Sequence, residues 1–333
     1  MKRLNMISAF AIAAITVAGA VSPAAAEEAV SVRLRWIAQA QFAGIYVALD
    51  KGFYKDAGLD VKINPGGPNV SAETMVASGA DTFAITGMTD AILFAREKDL
   101  PIVTIGMTLA TSPYAFVAQE DAGINSVKDF AGKTMSAWFT GSQYQLYTAL
   151  TNAGLDPSKE KVVSQPFSMQ PFIDGKYDIS TVTTYNELLS LQEQNIPVKV
   201  FRADENGVRG QDGAIIASEE TIKEKPEIVQ AFLNATLRGW KDAIEHQDDA
   251  VNIILKHGTA LNREHQVRMM AEYAKLATAG DTKTKGIGYV DLDAAKAVNE
   301  SLVQFKALKV PQDVSAAFTN RFWDQVPAED KRL

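Results

Sequence analysis

The chain of 333 residues contains no cysteine. That excludes disulfides, thiolate metal sites and a cysteine nucleophile, so stability must come from a packed core. Histidine is almost as scarce: His246, His257 and His265 all fall near the C-terminal end, at spacings that no metal site uses. The G-x-S-x-G, P-loop and H-E-x-x-H patterns are missing. Gly286-Ile-Gly288 is a lone G-x-G without a strand–helix context. No metal, cofactor or catalytic constellation is therefore expected. Basic clusters are lacking as well, and 33 Lys and Arg face 40 Asp and Glu for a net charge of −7. This balance argues against nucleic acid and anionic membranes as partners.

What is present begins with a leader. Lys2 and Arg3 precede a nearly continuous apolar run from Met6 to Val21, and Ala24-Ala25-Ala26 forms an A-x-A cleavage site. The run falls short of the roughly 20 residues that a membrane span needs. Residues 1–26 are thus expected to be a cleaved export signal, and without a cysteine the product is not a lipoprotein. The remainder, 31 bases against 40 acids, carries a net charge of −9. About 300 residues are enough for roughly two domains.

The stretch from Arg33 to Ile63 organises the rest. Val32, Leu34 and Trp36 alternate as a strand. A polar-aromatic turn, Gln39 to Gly44, leads into a helix bearing Ile45, Val47, Ala48 and Leu49, with Gly52 as its C-cap. Leu59, Val61 and Ile63 form the next strand. In open α/β sheets ligands bind beyond the carboxyl ends of strands, which makes this first loop the leading candidate site. The β–α alternation continues through strands at 82–85 and 102–107, and resumes after Pro113 with strands near 114–118, 134–138, 162–163, 177–182 and 198–201. A glycine-rich segment, Asp204 to Gly213, crosses back, and Gly213–Ala217 returns as a strand. Helices are expected over 221–245, 250–257, 262–279, 290–308 and 311–321. The fold class is therefore α/β with two lobes: residues 27–117 with 214–333 as one, 118–213 as the other.

The residues Gln39 to Gly44, Tyr46 to Ala48, Lys51 to Phe53 and Gly58 to Val61 resemble the start of periplasmic solute-binding proteins of ABC importers. The branch is the one that binds thiamine-pyrimidine precursors, within the nitrate–sulfonate–taurine superfamily. Gly79 to Asp81, Gly87, Pro113-Tyr114, Phe130 to Lys133, Trp138 to Gly154 and Pro226 to Trp240 extend the resemblance over essentially the whole chain. It implies a type II periplasmic-binding fold, two Rossmann-like lobes with a ligand cleft between them and a helical C-terminal portion. It also implies a monomer in the periplasm that closes on a small heteroaromatic solute and delivers it to a membrane permease with its ATPase. Flavins such as riboflavin, and taurine, alkanesulfonate or nitrate, are the alternatives within the superfamily. A pyrimidine-synthesising enzyme and a receptor-linked sensor are more remote ones.

Candidate ligand-binding residues follow from this frame. Trp36, Phe42 and Tyr46 offer ring faces for stacking. Gln39 and Gln41 offer donors and acceptors for ring nitrogens and exocyclic groups. Gly87, Met88 and Thr89 open a helix at the end of the third strand, with Thr111 and Ser112 ending the fourth. From the other lobe come Trp138, Thr140, Gly141 and Ser142, and then Tyr185 and Glu187. Pyrimidine-binding relatives carry an aromatic-Asn-aromatic-Glu pattern at this last place. Glu187 matches it, whereas Tyr185 and Asn186 are transposed, and Phe42 stands where such relatives often have histidine. Arg33 and Arg35 lie on the first strand short of its exit, which disfavours a sulfonate.

Overall fold

A computed structural model describes residues 27–333 apart from Pro68 and Thr140. The expected leader and the candidate Thr140 lie outside the described residues. Ten strands form two five-stranded sheets. The first contains β1 (Glu28–Leu34), β2 (Leu59–Asn64), β3 (Phe83–Ile85), β4 (Ile102–Leu109) and β10 (Asp212–Ser218), in the order β2-β1-β3-β10-β4. The second contains β5 (Tyr114–Gln119), β6 (Thr134–Ala137), β7 (Lys161–Ser164), β8 (Ile179–Thr183) and β9 (Val198–Arg202), in the order β7-β6-β8-β5-β9. β1 runs parallel to β2 and β3, while β10 is antiparallel to both of its neighbours. In the second sheet β5 is the antiparallel member. The chain thus leaves the first sheet after Leu109 and enters the second at Tyr114.

The helices that position the site are α1 (Ala43–Asp50), α2 (Thr89–Glu97), α3 (Ser142–Asn152), α4 (Glu187–Glu193), α5 (Pro226–Glu245), α6 (Gln247–His257), α7 (Arg263–Ala277) and α8 (Leu292–Gln304). Both faces of the first sheet are covered at β3, β4 and β10, which are buried along their whole lengths, whereas β1 and β2 alternate between buried and more exposed residues. Phe83, Ile85, Ile215 and Ala217 point to one core, and Ala84, Ala214 and Ile216 point to the other. On the first face Phe83 stacks on Phe232 of α5 with ring centroids 3.9 Å apart. Trp240, fully buried, stacks on Tyr273 of α7 at 4.8 Å.

Helices α1 and α5 cross where two glycines meet. A Cβ on Gly239 would lie 2.2 Å from the Gly44 carbonyl oxygen, and one on Gly44 would lie 2.3 Å from the Trp240 ring. No side chain fits at either position. Gly52, expected as a C-cap, follows the Lys51 cap of α1 with φ of +76°, the left-handed conformation that glycine adopts without penalty.

The helix expected over 311–321 is mostly absent. Asp313 caps a single turn, Val314–Ala317, by accepting from the backbone N–H groups of Ser315 and Ala316. The chain then turns extended, because Phe318 is buried against the first sheet and the Thr319 N–H donates to the Thr104 carbonyl at 3.0 Å. Burial of one ring on the sheet outweighs helical propensity there.

Candidate functional site

β1 ends at Leu34, one turn of the pleat earlier than its alternation suggests, so Arg35 and Trp36 already stand beyond its carboxyl end. They open onto a cavity of about 370 Å³ between the two sheets, within the size range of small-molecule sites. The first lobe contributes Arg35, Trp36, Gln39 and Gln41. Across from them, the second contributes Tyr114, Trp138, Phe167, Thr183, Tyr185, Asn186 and Glu187. Trp36 meets Phe167 across the opening with centroids 5.4 Å apart, and Tyr114 lies 6.4 Å from Trp138. Phe167 is 64% exposed, so its ring face is open to solvent or ligand.

The floor is a polar network joining the lobes. Arg35 donates to Asp212 at 2.5 Å through Nη1, and through Nη2 to the Tyr185 hydroxyl at 2.9 Å and Gln41 Oε1 at 3.3 Å. The Tyr185 hydroxyl in turn donates to Gln41 Oε1 at 3.2 Å. Burial is the largest influence and works against the Arg35 charge, but the Asp212 carboxylate together with Tyr185, Tyr273 and Tyr114 outweighs it and raises the guanidinium pKa. Burial also pushes the Tyr185 hydroxyl well above its ordinary value, so it acts as a neutral donor. At the rim, Glu187 accepts from the Thr183 N–H (3.0 Å) and hydroxyl (2.5 Å) through Oε2, and from Asn186 Nδ2 (2.7 Å) through Oε1. These bonds fix the carboxylate and leave one lone pair, on Oε1, free to accept from a ring amine or N–H.

Trp36, Gln39, Gln41, Trp138, Tyr185 and Glu187 are therefore brought together in one cavity, and the other candidates among the described residues are not. The loop expected to display Phe42 winds into a 3-10 turn, Ala40–Phe42, that turns this ring into the first-lobe core at 1% exposure. Tyr46 sits in the same core against the His257 ring, and burial lifts its hydroxyl to about 12. Gly87 lies behind the Arg35 guanidinium, where an added Cβ would be 3.8 Å from Nη1. Met88 is buried beside it, and Thr89 bonds to the backbone of Gln211. Thr111 and Ser112 line a separate hollow at the two crossings. Ser142 turns back onto Trp138, accepting from its N–H at 3.2 Å and donating to its carbonyl at 3.0 Å, and so positions that ring. Gly141 packs on Asp90 instead of facing the cavity.

Arg35 corrects the expectation that neither arginine reaches the strand exit. Arg33 does stay away, pairing with Asp81 at 2.7 Å. Phe167, from an irregular loop, carries no periodic signal in the sequence. Tyr114, Thr183 and Asn186 sit at strand ends or turns, where ladder position rather than residue type decides exposure.

Asp90, at the start of α2, is buried against the second lobe with Oδ2 lacking a partner. Burial raises its pKa to about 6, opposed by the Ala91 N–H and reinforced by Asp212. A carboxyl with a raised folded pKa favours folding below its unfolded pKa, and this contribution is lost as pH rises through about 6. Asp90→Asn removes the titration. It is expected to be more stable than the wild type at about pH 8, by up to roughly 3 kcal/mol, and to lose that advantage near about pH 4. Urea unfolding at both pH values measures this; an equal difference at both would assign the effect to something other than ionisation.

Comparison with known proteins agrees with this geometry. The model of the family described as NMT1/THI5 like matches residues 39–250. A riboflavin-binding protein of Chloroflexus aurantiacus is 29% identical, covering 88% of this chain and 85% of that one. A formylaminopyrimidine-binding protein of Halalkalibacterium halodurans is 30% identical, covering 71% and 72%. A 4-amino-5-hydroxymethyl-2-methylpyrimidine phosphate synthase of Legionella pneumophila is 24% identical, covering 90% and 94%. Among solved structures, the periplasmic aliphatic sulphonate-binding protein of Escherichia coli superposes with a TM-score of 0.69 at 14% identity, over 87% of this chain and 91% of that one. With the two-lobed architecture and the inter-lobe cavity in place, the chain belongs to the NMT1/THI5-like family and has the type II periplasmic-binding fold.

Proposed function

We propose that this protein is the solute-binding component of an ABC import system, working in the periplasm as a monomer and capturing a planar heteroaromatic solute by closure of its lobes. The observation that carries this reading is the ring set of the cavity. Trp36 from one lobe and Tyr114, Trp138 and Phe167 from the other face a single space whose polar groups include Arg35, the two glutamines and Glu187. Ring faces favour a flat ligand by offset stacking, and the guanidinium and carboxylate select its edge. A permease with its ATPase would receive the loaded, closed form. Binding rather than turnover is supported by the relatives named for binding riboflavin and formylaminopyrimidine.

Two ligands fit this class. A thiamine pyrimidine precursor would place its amine on Glu187. A flavin would fill more of the 370 Å³ and set the alternating carbonyl and N–H groups of its edge against Arg35 and Glu187. The second matches the ring area better. Calorimetric titration with riboflavin, 4-amino-5-hydroxymethyl-2-methylpyrimidine and taurine separates these. Riboflavin is expected to bind with Kd below about 10 μM. Trp138→Ala is expected to weaken it about 2- to 13-fold, the value of one stacking contact. Binding of taurine alone would replace the heteroaromatic reading with a sulfonate one.

A further inference from the structure

We propose that His265, on α7 of the first lobe, is a positioning residue for the cleft: as an imidazolium it clasps Glu193 and Asn186 of the second lobe, holds the Asn186–Glu187 pair toward the cavity, and ties lobe closure to its own protonation. The ligand half of this inference rests on the function proposed above; the clasp itself does not.

Asn186 Nδ2 donates to Glu187 Oε1 at 2.7 Å, and because an ionised carboxylate only accepts, the amide cannot be turned the other way. Asn186 Oδ1 therefore faces His265 Nε2, at 3.0 Å, as an acceptor. On the other side of the ring, Nδ1 lies 3.0 and 3.1 Å from the two oxygens of Glu193. Both ring nitrogens face acceptors. A neutral imidazole carries one N–H and would set a lone pair against either the carboxylate or the amide oxygen, so the doubly protonated ring alone satisfies both. Both partners belong to α4 or the turn before it, and Asn186 and Glu187 line the cavity. The side chain is 14% exposed, so solvent can deliver the proton while screening the pair only partly.

The surrounding charges leave this assignment intact. Glu193 also accepts from Arg268 at 3.2 Å, the like charge one turn along α7, whose other nitrogen is held by Gln192 at 2.5 Å. From α6, Lys256 and His257 turn away to Asp50, and Asn252 is held by Arg263. Asp248 and Asp249 lie at the far end of that helix. The Ala40–Phe42 turn and β4, which also meet α7, carry no charged residue. Further along α7, Glu272 is taken by Arg202 and Lys275. Glu264, beside His265, is exposed. The ring thus sees one carboxylate directly and one through Asn186.

Loss of the proton removes one of the two bonds that His265 makes across the lobes. The bond that this proton makes exists only in the closed form, so closure is stronger with the ring protonated than with it neutral. In a compartment that acidifies, the protein would hold its ligand longer.

The test uses the absence of native cysteine. Lys98→Cys and Lys176→Cys, both exposed and one on each lobe, take a fluorophore pair for single-molecule energy transfer on the ligand-free protein. The closed-to-open ratio is expected to fall about 2- to 10-fold between about pH 5.5 and pH 8, the worth of one hydrogen bond. His265→Gln and Glu193→Gln should both flatten this response, and His265→Arg, a permanent cation, should keep the lobes closed at both pH values. A wild-type ratio that does not move with pH, or one that moves equally in His265→Gln, overturns the proposal. Riboflavin is then titrated at both pH values. Its dissociation should speed up with pH in the wild type and not in His265→Arg. Failure of riboflavin to bind at either pH would sink the ligand reading and leave the lobe-distance result to decide the clasp.

Discussion

Adding one carbon to the fully enclosed Gly239, as in Gly239→Ala, is expected to destabilise the protein by about 3 kcal/mol and to lower Tm by roughly 6 °C or more. Two effects of opposite sign compete. In the interior of a helix alanine is better than glycine by about 1 kcal/mol, so propensity alone makes the substitution stabilising. Here the new Cβ would sit 2.2 Å from the Gly44 carbonyl oxygen, 2.7 Å from the Ala48 Cβ and 3.0 Å from the Ala48 nitrogen. Two of these three neighbours are backbone and cannot rotate aside, so α1 and α5 must separate. That separation opens the core around Trp240 and Phe232. The clash therefore wins. Calorimetry on Gly239→Ala gives the sign directly, and a Tm equal to or above that of the wild type would mean that the helices do not cross this closely.

Arg35→Ala is the other large effect, expected at about 3–5 kcal/mol. The loss is not that of the pair as such. Asp212 is 1% exposed in its side chain, and one of its oxygens already lacks a partner. Removing the guanidinium leaves a buried carboxylate with only the Gly213 N–H to hold it. Arg35→Met combined with Asp212→Asn, which removes both charges at similar volume, is expected to recover most of the stability. It should not recover binding of a carbonyl-bearing ligand. Guanidinium unfolding of the three forms checks this. A double variant as unstable as Arg35→Ala would locate the cost in packing instead of the stranded charge.

Much of the architecture is legible in the sequence because both sheets announce themselves. Strands buried on two faces read as short apolar runs between glycine and polar turns, as β3, β4 and β5 do, while β1 and β2 are read from alternation. The site is legible only in part. Gln39, Gln41 and Glu187 are found because polar residues at strand exits have few other places to go. Phe42 is misplaced because a single 3-10 turn rotates a loop ring from the cavity to the core, and no period reports that rotation. Arg35 is missed for a related reason: Trp36 continues the alternation of β1 past the point where the ladder stops. Phe167 has no neighbour pattern at all, and only the meeting of two lobes gives its position meaning.

The place of β10 has a consequence for how the chain acquires its structure. β4 reaches the rest of the first sheet only through β10, so Ile102 must wait for Ser218 and Leu109 for Asp212. The second sheet needs only the uninterrupted stretch from Tyr114 to Arg202. Contacts that span so much chain form slowly, because the loop between them must be closed before they gain anything. During synthesis the second half-structure becomes foldable while the first still lacks β10, the strand that joins β4 to the others. The order of maturation is thus the reverse of the order in the chain, and the cavity between the lobes is the last thing to exist.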